Sequence, residues 1–205
     1  GAALGDSYYD TMLMDMSVFE AGLKAQEDGY DAVCIDTVSD SGMYALRSKL
    51  SIPVLGPGQA AFHVACMLGH KFSIITMWDE WFHLYTKVLS EYKLEARCAS
   101  MRSIQTRPDL EELLEGKEEG IFEKLEAEAR KAIEEDNADV IVLGSTTMHQ
   151  SHAYLQSVLP VPVINPGLIS YKLCEMFLET GLTHSSTAFP APQQPNDDMI
   201  LSRNS

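Results

Sequence analysis

Short continuous apolar runs punctuate this chain at 32–35, 52–55, 72–77, 140–143 and 161–164. Their length and Val/Ile content predict buried parallel strands. Stretches of helical period fill the gaps. One covers 10–28, with apolar positions at Leu13, Met16, Phe19 and Leu23, and others cover 59–68, 81–92 and 167–178. Alternation of this kind predicts an α/β fold with a mostly parallel sheet and right-handed crossovers. Residues 109–136 are dense in Glu and Lys but keep Ile121, Phe122, Leu125, Ala129, Ala132 and Ile133 at helical spacing. That predicts an amphipathic surface helix with a solvated acidic face, split at Gly116 and Gly120 from a shorter helix begun by Pro108-Asp109. The stretch after Ala188, with Pro190, Pro192 and Pro195, predicts an extended or disordered terminus.

The pattern occurs twice. Residues 31–66 and 139–174 each begin with an aspartate (Asp31, Asp139) and a strand-like run. Each continues through a hydroxyl-rich turn, a helix-like stretch, a Pro-Val-aliphatic strand and a Pro-Gly that opens another helix. The segments at 53–58 and 162–167 match most closely, and Thr37 in one copy falls opposite Ser145 in the other. A duplicated unit of this kind predicts two halves about an approximate two-fold axis, with the ends of equivalent strands facing a cleft.

Composition narrows the function. With 205 residues, ordinary hydrophobic content and a formal net charge of −15, the chain reads as globular. Nucleic acid and anionic membrane are excluded as main partners, because either wants a basic face. A small anion is not excluded, because a few backbone N–H groups outweigh the global field locally. Cys34, Cys66, Cys98 and Cys174 are scattered without a CxxC pair, which reads as reduced thiols in a cytoplasmic protein. Cys34, within a strand, is expected to be buried and inert, and Cys66 and Cys174 to be core. No run is long enough to span a bilayer.

In open parallel sheets ligands bind beyond the carboxyl ends of the strands. The first repeat strand ends in Asp36, Thr37, Val38, Ser39, Asp40 and Ser41, and the second in Gly144, Ser145, Thr146 and Thr147. Hydroxyls and helix-start N–H groups there make a cradle for a carboxylate or a developing enolate. Each is also an ordinary helix N-cap. What favours function is their occurrence at matched positions in both copies. Thr76, at the end of the strand 72–77, joins them as a substrate-binding candidate, and Trp78, Trp81 and Phe82 either wall a pocket or pack. His149-x-x-His152 lacks the further ligands of a metal site, and no metal or cofactor is expected. The turn Gly56-Pro57-Gly58 lacks the lysine of a phosphate-binding loop.

The run from Asp31 through Pro-Val-Leu-Gly-Pro-Gly resembles the aspartate/glutamate/hydantoin racemase superfamily. So do Gly-His-Lys-Phe-Ser-Ile-Ile-Thr at 69–76, Ala-Asp-Val-Ile-Val-Leu-Gly at 138–144 and Gly-Leu-Thr-His at 181–184, closest to the hydantoin and allantoin racemase branch. The resemblance implies two flavodoxin-like lobes about a pseudo-dyad, the first from 1–69 with 166–205 and the second from 70–165. It implies a cofactor-independent isomerase acting on a small carboxylate or cyclic amide, expected as a homo-oligomer. Members open with a strand and an Asn-containing loop, so a strand unit is expected to be missing here. Family members carry one cysteine at the end of each repeat strand, and those positions fall at Thr37 and Ser145.

An aliphatic hydroxyl is a far weaker acid than a thiol and needs a separate base. The two-base mechanism cannot simply be inherited. Asp36 and Asp40 flank Thr37, and His149 lies one helical turn beyond Ser145. The leading expectation is carbon-acid chemistry through an enolate-like state, with catalytic candidates Thr37, Ser145, Asp36 and His149. The binding candidates are Ser39, Asp40, Ser41, Thr76, Thr146 and Thr147. Decarboxylation is a variant, since it needs at most one protonating residue. The alternatives are hydrolysis or ring opening by Ser145 with His149 as base, and a non-catalytic small-anion binder.

Overall fold

A computed structural model describes residues 5–108 and 119–201. The expected alternation is present. Its elements are α1 (Tyr8–Gly22), β1 (Val33–Cys34), α2 (Met43–Lys49), β2 (Val54–Leu55), α3 (Pro57–Leu68), β3 (Phe72–Thr76), α4 (Phe82–Tyr92) and β4 (Cys98–Ser103). They continue with α5 (Glu119–Asp136), β5 (Val140–Leu143), α6 (Ser151–Val158), β6 (Val163–Ile164), α7 (Pro166–Thr180) and α8 (Asp198–Leu201). All strand pairs are parallel, in the orders β1-β2 and β4-β3-β5-β6. The fold is α/β with parallel sheets, as the hydrophobic pattern predicts.

Two compact units are present. Unit 2 holds Asp36–Asp40 and Gly56–Ser170. Its sheet is buried on both faces, which explains why β3 and β5 read as unbroken apolar runs. Phe72, Ile74, Val140 and Val142 face one cluster with Phe62 and Ala65 of α3 and Tyr85 and Val88 of α4. Ile75, Ile141 and Leu143 face the other, with Leu125 and Ala129 of α5 and Leu155 of α6. The two-residue period of a strand divides the side chains between these clusters. α3 therefore belongs with this sheet, whereas the sequence reading gave it to the first lobe.

Unit 1 holds the residues up to Ile35, then Ser41–Leu55 and those from Tyr171 onward. Gly42 opens α2 at φ 69, and a Cβ there would meet the Asp15 carbonyl at 2.8 Å, so this start tolerates only glycine. The tail is held by side-chain contacts within this unit. Phe189 lies 5.3 Å from the Tyr44 ring and 5.8 Å from His184, with the Arg47 guanidinium 5.2 Å over its face. Further on, Asp197 pairs with Lys49 at 2.7 Å ahead of α8. Aromatic contacts and two cations hold a segment whose prolines alone read as unstructured.

Other expectations are also corrected. Cys34 is exposed at the last residue of β1, whose one hydrogen-bonded neighbour among the described residues is β2. Cys174 is buried, but Cys66 is only half-buried. Strand β4 was not legible, since Cys-Ala-Ser-Met-Arg-Ser has no apolar run. It is an edge strand, held in part by Ser100 against Ser73 at 2.8 Å. The acidic face of α5 is not inert: Glu128, Glu135 and Asp136 all bind Arg102 of β4. Gly120 lies inside α5, while the split at Gly116 and the helix expected from Asp109 fall outside the described residues.

Candidate functional site

The turns that follow β1 and β5 carry the hydroxyls, and they are built alike. Ser39 donates to Thr37 Oγ1 at 3.3 Å, and Ser145 Oγ lies 2.8 Å from Thr147 Oγ1. Thr37 and Ser39 occupy the positions of Ser145 and Thr147 in the repeat, so one hydroxyl pair recurs in both copies. Because Thr37 accepts from Ser39, its own hydrogen is directed elsewhere. Ser145 also accepts from the Thr147 N–H at 3.3 Å, capping the single 3-10 turn Thr146–Gln150. Thr146 Oγ1 donates to the Asp36 carbonyl at 3.1 Å. That bond ties the two turns together within unit 2 and brings both hydroxyl pairs into one region.

Supporting groups fix the backbone on either side. Tyr85, 1% exposed, donates to the Gly144 carbonyl at 2.7 Å. A phenol has one hydrogen, so the 2.8 Å contact with Thr76 must be donated by Thr76. Burial pushes the Tyr85 hydroxyl well above its ordinary range despite the Thr76 hydrogen bond, so it stays a neutral donor. A Cβ on Gly144 would meet the Tyr85 hydroxyl at 2.6 Å. This strap, not legible in the sequence, anchors the residue before Ser145.

Asp40 works in the same way on the other turn. It sits at φ 52 with its carboxylate buried, accepting from the Gly58 N–H at 2.8 Å and the Gln59 N–H at 2.7 Å. α3 has Gly56 at its N-cap and no side-chain cap of its own, so Asp40 supplies the acceptor from the loop. A Cβ on Gly58 would run into the Val38 carbonyl, which is why this close approach needs glycine. A capless Gly-Pro-Gly helix start was the one sequence signal that such a partner exists.

The candidates therefore separate. Thr37, Ser39, Ser145, Thr146 and Thr147 come together around the Thr146–Asp36 link. Asp36 is exposed beside Thr37. Asp40 accepts from the α3 amides and Thr76 donates to Tyr85. Ser41 is fully buried and belongs to unit 1. His149 is exposed, and no hydrogen bond joins it to Ser145 among the described residues. His152 instead meets the Val163 carbonyl at 3.0 Å, and since a carbonyl only accepts, its Nε2 carries the proton. Trp81 packs against both core clusters, which favours packing over a pocket wall. A cavity of about 470 Å³ in unit 1, lined by Lys24, Gln26, Glu27 and Lys49, contains none of the candidates. Among the described residues no cluster of His, Cys, Asp and Glu is arranged to hold a metal, and no helix is long and apolar enough to cross a membrane.

The sequence model of Asp/Glu/hydantoin racemases matches residues 5–174. The chain belongs to that family. It is 32% identical over 181 residues to a hydantoin racemase of Pseudomonas sp. strain NS671, covering 88% of this chain and 72% of the relative. The allantoin racemase of Klebsiella pneumoniae superposes with a TM-score of 0.85 at 28% identity, covering 95% of this chain and 80% of that one. Arylmalonate decarboxylase shares the fold at TM-score 0.63 and 18% identity, over 86% of this chain and 80% of its own. These likenesses put the chain in the hydantoin/allantoin branch of a racemase family.

Proposed function

We propose that this racemase-family enzyme acts at a carbon next to a carboxylate or cyclic amide and stabilises an enolate-like state with the Thr37/Ser39 and Ser145/Thr147 hydroxyls. The observation that carries the reading is the recurrence of one hydroxyl pair at the two positions where the family has its cysteines, with the turns joined through Thr146. Hydroxyls serve the developing oxyanion well, because a neutral donor aimed at an oxygen gaining charge strengthens as the charge grows. They serve poorly as bases. The exposed carboxylate of Asp36, adjoining Thr37, is the group in these turns suited to take or return the α-proton, since Asp40 is engaged by the α3 amides.

Incubation with hydantoins and allantoin in D2O tests this. Incorporation of deuterium at the α-carbon, lost in Asp36→Asn, is the expected result. No exchange with any such substrate overturns the isomerase reading. Decarboxylation of a malonate-type acid is the second reading, favoured by the absence of the thiol pair, since loss of CO2 leaves a carbanion that needs one proton from one side. Release of CO2 without exchange into the product's precursor distinguishes it. Hydrolysis through Ser145 loses its support, because the base it needs is not bonded to it.

A further inference from the structure

The peptide that leads into Ser145 is held from the core of unit 2. Its carbonyl, that of Gly144, accepts from the Tyr85 hydroxyl at 2.7 Å, and Thr76 donates to the same hydroxyl at 2.8 Å. Tyr85 and Thr76 are 1% and 0% exposed, so water does not compete for either bond. Packing asks only for the ring, which lies in the cluster with Phe62, Val88 and Val142. A phenol oxygen is costly to bury unless it is bonded, so its presence here calls for a reason beyond filling space. The matched peptide in the other copy is held in the same way. The Asp36 carbonyl, just before Thr37, accepts from Thr146 Oγ1 at 3.1 Å. Two peptides at equivalent places each have their carbonyl taken by a hydroxyl from elsewhere in unit 2.

We propose that Tyr85 is a positioning residue for the reaction: it fixes the Gly144–Ser145 peptide so that the Ser145 N–H joins the Ser145 hydroxyl as a donor to the substrate oxygen that gains charge. The proposal rests on the enolate reading of the site. A trans peptide carries its C=O and N–H on opposite sides, so a carbonyl held towards Tyr85 turns the Ser145 N–H away from it. The Gly144 N–H is taken by the Ile75 carbonyl at 2.8 Å, whereas the Ser145 N–H donates to no group among the described residues. Ser145 is half-buried, so a ligand can reach it. A donor on the carbonyl draws density from the peptide nitrogen and makes its N–H the stronger donor, and Thr76 strengthens Tyr85 in turn. Tyr85 touches no reacting atom and transfers no proton.

The test is NMR of the 15N-labelled full chain with a kinetic arm. Tyr85→Phe keeps the ring and removes the donor. The expected result is an upfield shift of the Ser145 amide nitrogen in Tyr85→Phe. Titration with hydantoin, and separately with malonate, should move the parent's Ser145 amide proton downfield with at least one of them, and the variant's less. Turnover, read as α-deuterium exchange or CO2 release, should fall about 10- to 100-fold in kcat with KM little changed, the range for lost aim at a reacting group. Thr76→Val should give a smaller fall and Thr76→Ser none. Leu89→Ala, which opens a cavity in the same helix, should lower the melting temperature and keep kcat. A Ser145 amide unmoved by both ligands or by Tyr85→Phe overturns the proposal, and so does a fall in kcat that Leu89→Ala reproduces. No turnover by either measure sinks the enolate reading instead, and the amide shifts then still decide whether Tyr85 aims the Ser145 N–H at a ligand. Where Tyr85→Phe fails to fold, the two Thr76 variants read the same amide.

Discussion

The two repeat copies share a backbone but solve its requirements with different side chains. Both run strand, turn, helix, strand, helix, and their strand registers correspond: Val33 opposes Val54 as Ile141 opposes Val163, and Cys34 opposes Leu55 as Val142 opposes Ile164. Even the entering hydrogen bonds match, Val33 N–H to the Pro53 carbonyl and Ile141 N–H to that of Pro162. Past the backbone the copies diverge. The outward-facing carbonyl of Val54 is taken by Arg47, that of Val163 by His152, and Gln156 accepts from the Val163 N–H. The last helix is capped from the loop by Asp40 in one copy and locally by Asn165, at 3.2 Å to the Leu168 N–H, in the other. A buried or edge polar group must be satisfied, but not by any particular residue. Against that freedom, the hydroxyl pairs stand out as the feature that kept both its chemistry and its place.

Strand environment should break the equivalence most. β5 is buried at all four residues, whereas β1 is half-buried at Val33. Ile141→Ala should cost about 2–5 kcal/mol in denaturant unfolding, the range for truncating a fully buried aliphatic. Val33→Ala at the matched position should cost clearly less, about 1 kcal/mol. Equal losses would mean that the two strands bear equal load despite their different burial.

The caps come next. Asp40→Ala removes a charged acceptor from two helix N–H groups, worth about 1.5–3 kcal/mol, and places alanine at a left-handed φ. Asn165→Ala removes an ordinary local cap, worth about 0.5–2 kcal/mol. A larger loss at Asn165 would show that the long-range cap is redundant. This contrast marks how far the sequence could be read. The apolar runs at β3 and β5 and the Pro-Gly helix starts are local signals, and they placed the elements and the matched hydroxyls. Asp40 and Tyr85 act on backbone groups distant in sequence, and no spacing rule encodes that reach. Cys34 was misplaced for a related reason: a two-residue strand ending in a turn looks apolar in sequence, but its exposure depends on what lies beside it.

The hydroxyls sharpen the comparison in the other direction. Thr37→Ala and Ser145→Ala should each lower turnover by about 1.5–3 kcal/mol of transition-state stabilisation, the worth of a charge-assisted hydrogen bond, with little change in melting temperature. Similar losses from both would support one shared role at the matched positions. A stability loss of about 0.5–2 kcal/mol with unchanged rate would reduce them to caps.

The smallest effect concerns the aspartate that opens the second copy. Burial pushes the Asp139 carboxyl up, but the His70 and Lys71 amides, both at 2.9 Å, outweigh it and hold the group below the ordinary carboxylate range. A folded value lower than the unfolded one means that the unfolded chain binds the proton more readily. The stabilisation is thus fully present above the unfolded value of about 4 and is lost as pH falls through the lower folded value. Asp139→Asn should therefore lower stability at neutral pH, because its amide offers one acceptor to two donors and turns its own N–H towards the second. It should also flatten the acid limb of a pH series of denaturant melts, since asparagine has no proton to take up. An acid limb as steep as the parent's would move the acid sensitivity to other carboxylates, Asp136 against Arg102 first among them.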